Sequence, residues 1–477
     1  MPLLYNFDID TPEELLIILA QNLQQRRLEK GLSRDALSTL SGIPVPTIAK
    51  FEQKHTISLA SYVALAKALG YSKSIKNLLA EPLYNTMEEL DTINRNKNRK
   101  RGRNELTVTY HKQVVGELTM TPDNRLCAFQ YNKEWLINGF SISPLELPLK
   151  PNLFIARPEP FWGNFGIFED SLPDGYGRYL LNRLLKKQGI DDMKLTPIQR
   201  LSIVGCSGMG ALCYIPETYI GEEKSLPDLD NLQQIALNVL SEKSDKDEDI
   251  LYFNSGNSGG CRPKCLLHDT EGSWLVKFRH TYDPKDMGVM EYQYNKIARQ
   301  CGITVPDFKL LEGKYFATKR FDIEAGERLH IATAGALLNE SILQPRLDYK
   351  TLLHLTGFLT QDPLQVDEMF RRMVFNVFTD NKDDHAKNFS FVYKNGKWSL
   401  APAYDLTLCS TGYNGEHATS VNNNGKPTLD DMLLVGESIR IPKRKGLSII
   451  RQIAEHCGEI LSEDYKNNYS EIFYLRQ

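Results

Sequence analysis

FNVFTDNKDDHAKNFSFVYKNGKWSLAPAYDLTLC, residues 375–409, decides how this chain is read. The stretch opens apolar and breaks into a polar cluster. It then alternates again in FSFVY and KWSLAP on either side of Asn395-Gly396, a dipeptide suited to a two-residue hairpin turn. Asp383 is followed five positions on by Asn388, and a second aspartate, Asp405, comes after the hairpin in Tyr-Asp-Leu. Phosphoryl transfer needs a carboxylate that orients the attacking hydroxyl and accepts its proton. It also needs oxygen ligands for a Mg²⁺ ion that bridges the phosphates. Asp383 fits the first role, and Asn388 with Asp405 the second. A plain polar turn before a hairpin would give no reason for Asp383, Asp384, His385, Lys387 and Asn388 to stand together beside an apolar run.

Upstream lie the other groups such chemistry requires. WLVKF, residues 274–278, reads as a short apolar strand presenting Lys277, which suits a phosphate-binding lysine. Glu291, in MEYQYNKIARQCGI, falls on the next expected helix, where it can pair with Lys277 and fix it. NSGNSGGCRPK, residues 254–264, precedes that strand and reads as a Gly-rich loop between two strands. Its glycines let backbone N–H groups approach phosphate oxygens. The loop is not a Walker P-loop, because the G-x-x-x-x-G-K-[ST] spacing is absent. The ATP-binding set is therefore Ser255, Gly256, Ser258, Gly259, Gly260 and Lys264 from the loop, Lys277 from the strand, and His385 and Lys387 beside Asp383.

The whole chain, 477 residues, is long enough for three or four domains. Hydrophobic residues make up 41% and charged residues 25%, which excludes wholesale disorder, collagen and coiled coil. The net charge of −3 excludes a chain basic all over, though not a local basic surface. No apolar run approaches the ~18 residues that span a bilayer, and the first residues lack a signal-peptide pattern. Eight cysteines without a C-x-x-C pair point to a reduced, cytoplasmic chain, and the histidines show no zinc-ligand spacing.

Residues 1–75 read as a separate all-α domain. Thr11-Pro12 is a cap and first-turn pair, and Leu15, Leu16, Leu19, Leu23 and Leu28 recur at helical spacing up to Gly31. Ser33 opens a second helix with Ala36, Leu37 and Leu40 inward, Ser41-Gly42-Ile43 turns, and a third helix starts at Pro44 or Pro46. Two short helices with a small residue in the turn match a helix-turn-helix. Residues 76–104 end in NRNKNRKRGR and read as a basic, solvated linker. Residues 105–155 alternate as strands, with a hairpin turning near His111–Gln113; a mixed lobe follows over 156–340 and a helical lobe over 341–477.

LSRDALSTLSGIPVPTIAKFEQ resembles the phage-repressor-like helix-turn-helix family that includes the HipB antitoxins. The resemblance implies that Val45, Pro46 and Thr47 face base edges with Lys50 close by, while Ser33 and Arg34 hold phosphates. DNKDDHAKNFSF with APAYDL, SGGCRPK, FEDSLPDGYGRYLL (168–181) and KRFD (319–322) together resemble the HipA family. These are serine/threonine kinases with a phosphatidylinositol-kinase-like fold that act as toxins of toxin–antitoxin systems. The resemblance implies an α+β, two-lobed kinase after the helical domain. Asp383 matches the catalytic aspartate, Asn388 and Asp405 the magnesium ligands, and Lys277 the ATP lysine. Arg320, Phe321 and Asp322 match the strand that borders adenine.

It further implies autophosphorylation in the Gly-rich loop, for which Ser255 and Ser258 are the candidates. One family phosphoserine position falls on Asn257 instead, and His330-Ile331-Ala332-Thr333 departs from the family's usual string. The expected cofactors are ATP and Mg²⁺. The expected partners are operator DNA, a second copy of the chain, and a protein substrate such as a translation factor or an aminoacyl-tRNA synthetase. Two other readings compete: a nucleotide-sensing transcription regulator with an inactive kinase fold, and a lipid or small-molecule kinase.

Overall fold

The computed structural model describes residues 11–97, 105–220, 228–243, 248–255 and 260–467. It divides into two compact units, Met1–Tyr84 and Asn85–Gln477.

The first unit is helical: α1 (Pro12–Glu29), α2 (Arg34–Ser41), α3 (Val45–Lys54), α4 (Leu59–Ala68) and α5 (Ser72–Asn77). Thr11 caps α1 in a capping box with Glu14, and Ser33 caps α2 through the Ala36 N–H. Gly42 ends α2 at φ 72°, a left-handed position that glycine reaches without strain and that sets the tight turn into α3. The core is small: Ala20, Leu23, Leu37, Ile48, Phe51, Leu65 and Leu69. The leucine spacing expected to face inward holds only in part. Leu15, Leu16, Leu19, Leu28 and Leu40 are exposed, because five consecutive apolar residues wrap around α1 while only its Ala20–Leu23–Arg27 stripe is buried. Inside this unit Glu52, fully buried at its side chain, accepts from Arg27 (2.8 Å) and Arg34 (2.8 Å).

The second unit begins with α6 (Met87–Lys97), so part of the stretch read as a linker is a helix. Met87 and Leu90 are buried, and Asn94 donates to the Met120 carbonyl (2.9 Å), which fixes α6 on the sheet that follows. The basic residues after 97 lie outside the described residues. The sheet takes β1 (Glu105–Tyr110), β2 (Gln113–Met120), β3 (Cys127–Tyr131), β4 (Leu153–Ile155) and β5 (Leu212–Ile215) in the order β4-β3-β2-β1-β5. The β1–β2 hairpin turns at His111-Lys112, both left-handed. β5 pairs with β1, so this subdomain extends well past residue 155. Helices α7 (Lys133–Asn138), α8 (Gly166–Glu169), α9 (Gly175–Lys187) and α10 (Pro197–Val204) lie between its strands in sequence. The side chains of Cys206 and Cys213 lie side by side across the turn into β5, with Cα atoms 4.4 Å apart, close enough to form a disulfide.

Next come α11 (Leu229–Leu240), α12 (Glu248–Ser255), β6 (Lys264–Asp269), β7 (Gly272–Lys277), α13 (Met287–Gln300), β8 (Phe308–Leu311) and β9 (Tyr315–Lys319). The four strands form an antiparallel sheet in the order β6-β7-β9-β8. A separate core joins Trp274, Val276 and Ala317 of that sheet to Leu180, Leu184, Leu232, Leu251 and Tyr252 of α9, α11 and α12. The segment ahead of the Gly-rich loop is thus a helix, not a strand.

A short hairpin, β10 (Ile323–Glu324) with β11 (Glu327–Arg328), leads to β12 (His330–Thr333), α14 (Ala334–Leu338), α15 (Tyr349–Thr360) and α16 (Pro363–Phe378). β13 (Ser390–Lys394) and β14 (Lys397–Leu400) form the expected hairpin, turning at left-handed Asn395 and Gly396. Their sheet runs β12-β13-β14. Helices α17 (Leu429–Ser438) and α18 (Lys443–Cys457) complete the lobe, with Phe370, Phe375 and Phe378 of α16 fully buried in its core. Among the described residues, no helix is long and apolar enough to cross a membrane.

Candidate active site

The two lobes of the second unit face each other across one cavity. Gly260, Lys264 and Lys277 line it from the first lobe, Arg320–Asp322 from the connection, and His385, Lys387, Asn388 and Asp405 from the second. These residues are up to 145 positions apart in sequence, and only the fold brings them together.

Lys277 ends β7 and is held from two sides: its Nζ donates to Glu291 of α13 and to Asp405. Burial by itself would lower the lysine pKa; the Asp405 and Glu291 carboxylates outweigh it and hold Lys277 above the usual lysine range. For Glu291, 2% exposed, burial wins over the attraction of Lys277 and its pKa is raised. Asp405 goes the other way: against burial, Lys277 and then Lys264 keep it well below the ordinary carboxylate range, so it is an anion at any working pH. Its backbone sits at φ 52°, a left-handed conformation sparsely populated for a residue other than glycine or asparagine, of the kind that clusters at functional sites.

Asn388 lies in the 3₁₀ turn Ala386–Asn388, and its amide Nδ2 donates to the Asp383 carbonyl (2.6 Å). That use of the nitrogen leaves the Oδ1 atom for a hard cation. Asn388 Oδ1 with the Asp405 carboxylate is a two-oxygen set suited to Mg²⁺, which keeps waters and takes its other ligands from phosphates. Among the described residues there is no cluster of three or more His, Cys, Asp or Glu side chains that would cage a metal by itself.

Asp383 is not among the residues that line the cavity; its side chain is 60% exposed and lies 3.9 Å from Nε2 of His385, which does line it. Desolvation raises the Asp383 pKa; His385 opposes this, and the charges of Asp405 and Asp384 add to it. The neighbouring Asp384 is buried instead. It accepts from the Tyr349 hydroxyl (2.8 Å), pairs with His417 Nδ1 (3.0 Å) and accepts from the Thr419 N–H (3.2 Å). Tyr349 in turn accepts from Asn376 of α16 (2.9 Å). Asp384 thus anchors the loop and leaves Asp383 facing outward, a division of labour that two adjacent aspartates do not reveal in sequence.

Several candidates are placed differently from the sequence reading. Ser255 ends α12, buried, with its hydroxyl donating to the Tyr252 carbonyl (3.2 Å), and it does not line the cavity. Gly256, Ser258 and Gly259 lie outside the described residues. Asp322 is buried and paired with Arg320 (Nε 2.8 Å), while also accepting from the Gly210 N–H (3.2 Å); the two side chains hold the lobe connection, and Phe321 stacks near Tyr404 (5.6 Å). In the helical unit, Ser33 spends its hydroxyl on the cap of α2 and Arg34 is committed to Glu52. Val45, Pro46 and Thr47 form the first turn of α3, with Pro46 and Lys50 exposed.

Two side chains of the site carried no role in the sequence reading. Asp170 and Asp174, both in FEDSLPDGYGRYLL, line the cavity beside Lys387. Asp170 is half-buried and accepts from the Thr333 N–H (2.7 Å) and hydroxyl (2.8 Å); desolvation pushes its pKa up to about 6. Asp174 pairs with Lys387 (2.9 Å). The sequence signal was two aspartates flanking Ser-Leu-Pro ahead of a Gly-rich helix start.

Comparison with known proteins agrees with this architecture. The model of the HipA N-terminal domain matches residues 106–215, that of the HipA-like C-terminal domain 256–460, and a helix-turn-helix model 23–75. The two HipA models together account for more than half of the chain, which belongs to the HipA family and carries a helix-turn-helix domain at its N-terminal end. A Sinorhizobium fredii protein named "Putative kinase Y4dM" is 28% identical over 396 residues, 76% of this chain and 92% of that one. The serine/threonine-protein kinase toxin HipA of Shewanella oneidensis is 22% identical over 333 residues, 61% and 72% of the two chains. Among solved structures, a chain from the Shewanella oneidensis complex of HipA, HipB and operator DNA aligns with a TM-score of 0.56 at 19% identity, covering 77% of this chain and 94% of its own. That likeness, with the helix-turn-helix match, shows the fold: a helical domain followed by an α+β, two-lobed HipA-type unit.

Proposed function

We propose that the chain is an ATP- and Mg²⁺-dependent protein serine/threonine kinase of toxin–antitoxin type whose helix-turn-helix domain binds operator DNA. One observation carries the kinase reading: Lys277, Asn388 and Asp405 line a single cavity together with His385, whose Nε2 lies 3.9 Å from Asp383. In this reading Lys277, fixed by Glu291, neutralises the nucleotide phosphates. Asn388 and Asp405 hold the metal, which supplies charge neutralisation on the transferring phosphoryl group. In the same reading Asp383, exposed and raised in pKa, orients a seryl or threonyl hydroxyl and takes its proton.

The helical unit supports the DNA reading through the start of α3, where Pro46 and Lys50 are exposed and Val45 and Thr47 half-buried. A second copy of the chain on paired half-sites follows from the usual geometry of such motifs. A covalently attached reader is held at high effective concentration, so the kinase needs no separate chain to reach its promoter.

The test is incubation of the purified chain with γ-labelled ATP and Mg²⁺. Label on protein, lost in Asp383→Ala, supports the reading. Label on lipid, or nucleotide binding with no transfer, replaces it by the lipid-kinase or sensor reading. Phosphopeptide mapping with Ser255→Ala and Ser258→Ala then locates any modified loop serine, and unchanged signals in both overturn the loop as the site.

A further inference from the structure

The segment Asp174–Tyr176 touches the Gly-rich loop at three points. The Gly260 N–H donates to Asp174 Oδ1 (2.5 Å), and the Tyr176 N–H donates to the Gly260 carbonyl (3.0 Å). Between them Gly175, at φ 46°, lies so close that a Cβ there would sit 2.4 Å from the Gly260 oxygen. Asp174 Oδ2 meanwhile receives Lys387 Nζ from the catalytic loop (2.9 Å). One carboxylate therefore joins the exit of the phosphate-binding loop, through α9 of the first lobe, to the catalytic loop of the second. Lys387 and the Gly260 amide keep Asp174 below the usual carboxylate range although burial opposes it, so both contacts persist at neutral pH.

We propose that Asp174 and Gly175 form a clamp that seats Gly260 and orients Lys387 for phosphoryl transfer, Asp174 acting as a positioning residue. The proposal rests on the kinase reading above for its catalytic consequence, while the clamp itself does not. A bound nucleotide's phosphates need the Gly260 backbone held at the cavity wall and a lysine head held within reach. Asp174 supplies both constraints from one side chain, and Gly175 supplies the close approach that no other residue permits.

Three full-length variants separate these roles. Asp174→Asn keeps an acceptor for the Gly260 N–H but loses the charge that holds Lys387. Its phosphoryl transfer should fall at least about tenfold while Mg²⁺–ATP affinity stays within about threefold, as expected when a charge-assisted contact is lost and a neutral one kept. Asp174→Ala and Gly175→Ala release Gly260. Amide hydrogen exchange at Gly260 should quicken, and Mg²⁺–ATP affinity should fall at least about tenfold. Exchange and affinity equal to wild type in both alanine variants would overturn the proposal. If those variants do not fold, Asp174→Asn decides alone, and transfer within about threefold of wild type overturns it. A wild-type chain that transfers no phosphate sinks the kinase reading, and the exchange and affinity comparison still judges the clamp.

Discussion

Replacing Lys277 by methionine removes the cation between two carboxylates and keeps most of the side-chain volume. Glu291 is left 2% exposed with its counter-charge gone. Breaking a buried ion pair from one side costs roughly 3–5 kcal/mol, because the remaining charge stays desolvated. The cost depends on pH, and the sign follows from Glu291. Its folded pKa is already raised by burial, and losing Lys277 raises it further. A carboxyl whose folded pKa exceeds its unfolded value penalises the folded state most at high pH. The penalty fades as pH falls through the folded pKa, by up to about 1.4 kcal/mol per pH unit. Wild type shows a smaller dependence, since Lys277 offsets part of the burial. The stability gap between wild type and Lys277→Met, read from urea midpoints at pH 8, 6.5 and 5, should therefore narrow towards acid. A gap that stays constant or widens towards acid would refute the assignment of Glu291 as the buried partner.

Other consequences follow from the same geometry. Asp383→Ala, at an exposed side chain, should leave the melting temperature within a degree or two, as surface substitutions within about 0.5 kcal/mol do, while abolishing label transfer. Asp405→Asn should weaken the Mg²⁺ dependence of nucleotide binding, seen as a right-shifted magnesium titration of ATP affinity. Tyr349→Phe removes the hydroxyl that joins Asp384 to Asn376 and should cost about 1–3 kcal/mol in urea unfolding, with a slower transfer rate as the catalytic loop loosens. In the helical unit, Glu52→Gln leaves Arg27 and Arg34 without their shared anion and should lower that unit's stability by about 3–5 kcal/mol, with DNA binding lost on mild heating before the kinase unit melts.

Local chemistry made much of this site legible. The Asp383–Asn388 spacing, the Asn395-Gly396 turn and the strand presenting Lys277 are each written in a few neighbouring residues, and the Lys277–Glu291 pair needed only one helix after one strand. The missed roles depend on long-range convergence. Asp174 reaches Gly260 across 86 residues and Lys387 across 213, and nothing in either neighbourhood announces the other. The segment before the Gly-rich loop was misread because Leu251-Tyr252-Phe253 is a short apolar run that periodicity cannot assign to helix or strand; its packing on α9 decides for a helix. The five apolar residues at Leu15–Leu19 gave no face preference, so burial on α1 was settled by its neighbours. Cys206 and Cys213 lie seven positions apart, and only the turn between them makes a bond possible.

The most direct measurement is the intact mass of the purified chain before and after incubation with ATP and Mg²⁺, with Asp383→Ala and phosphatase-treated samples alongside. The account predicts a phosphate-sized increment on the wild-type chain or on an added protein substrate, removed by phosphatase and absent from Asp383→Ala. An increment of equal size in Asp383→Ala, or none on any protein despite bound nucleotide, would contradict it.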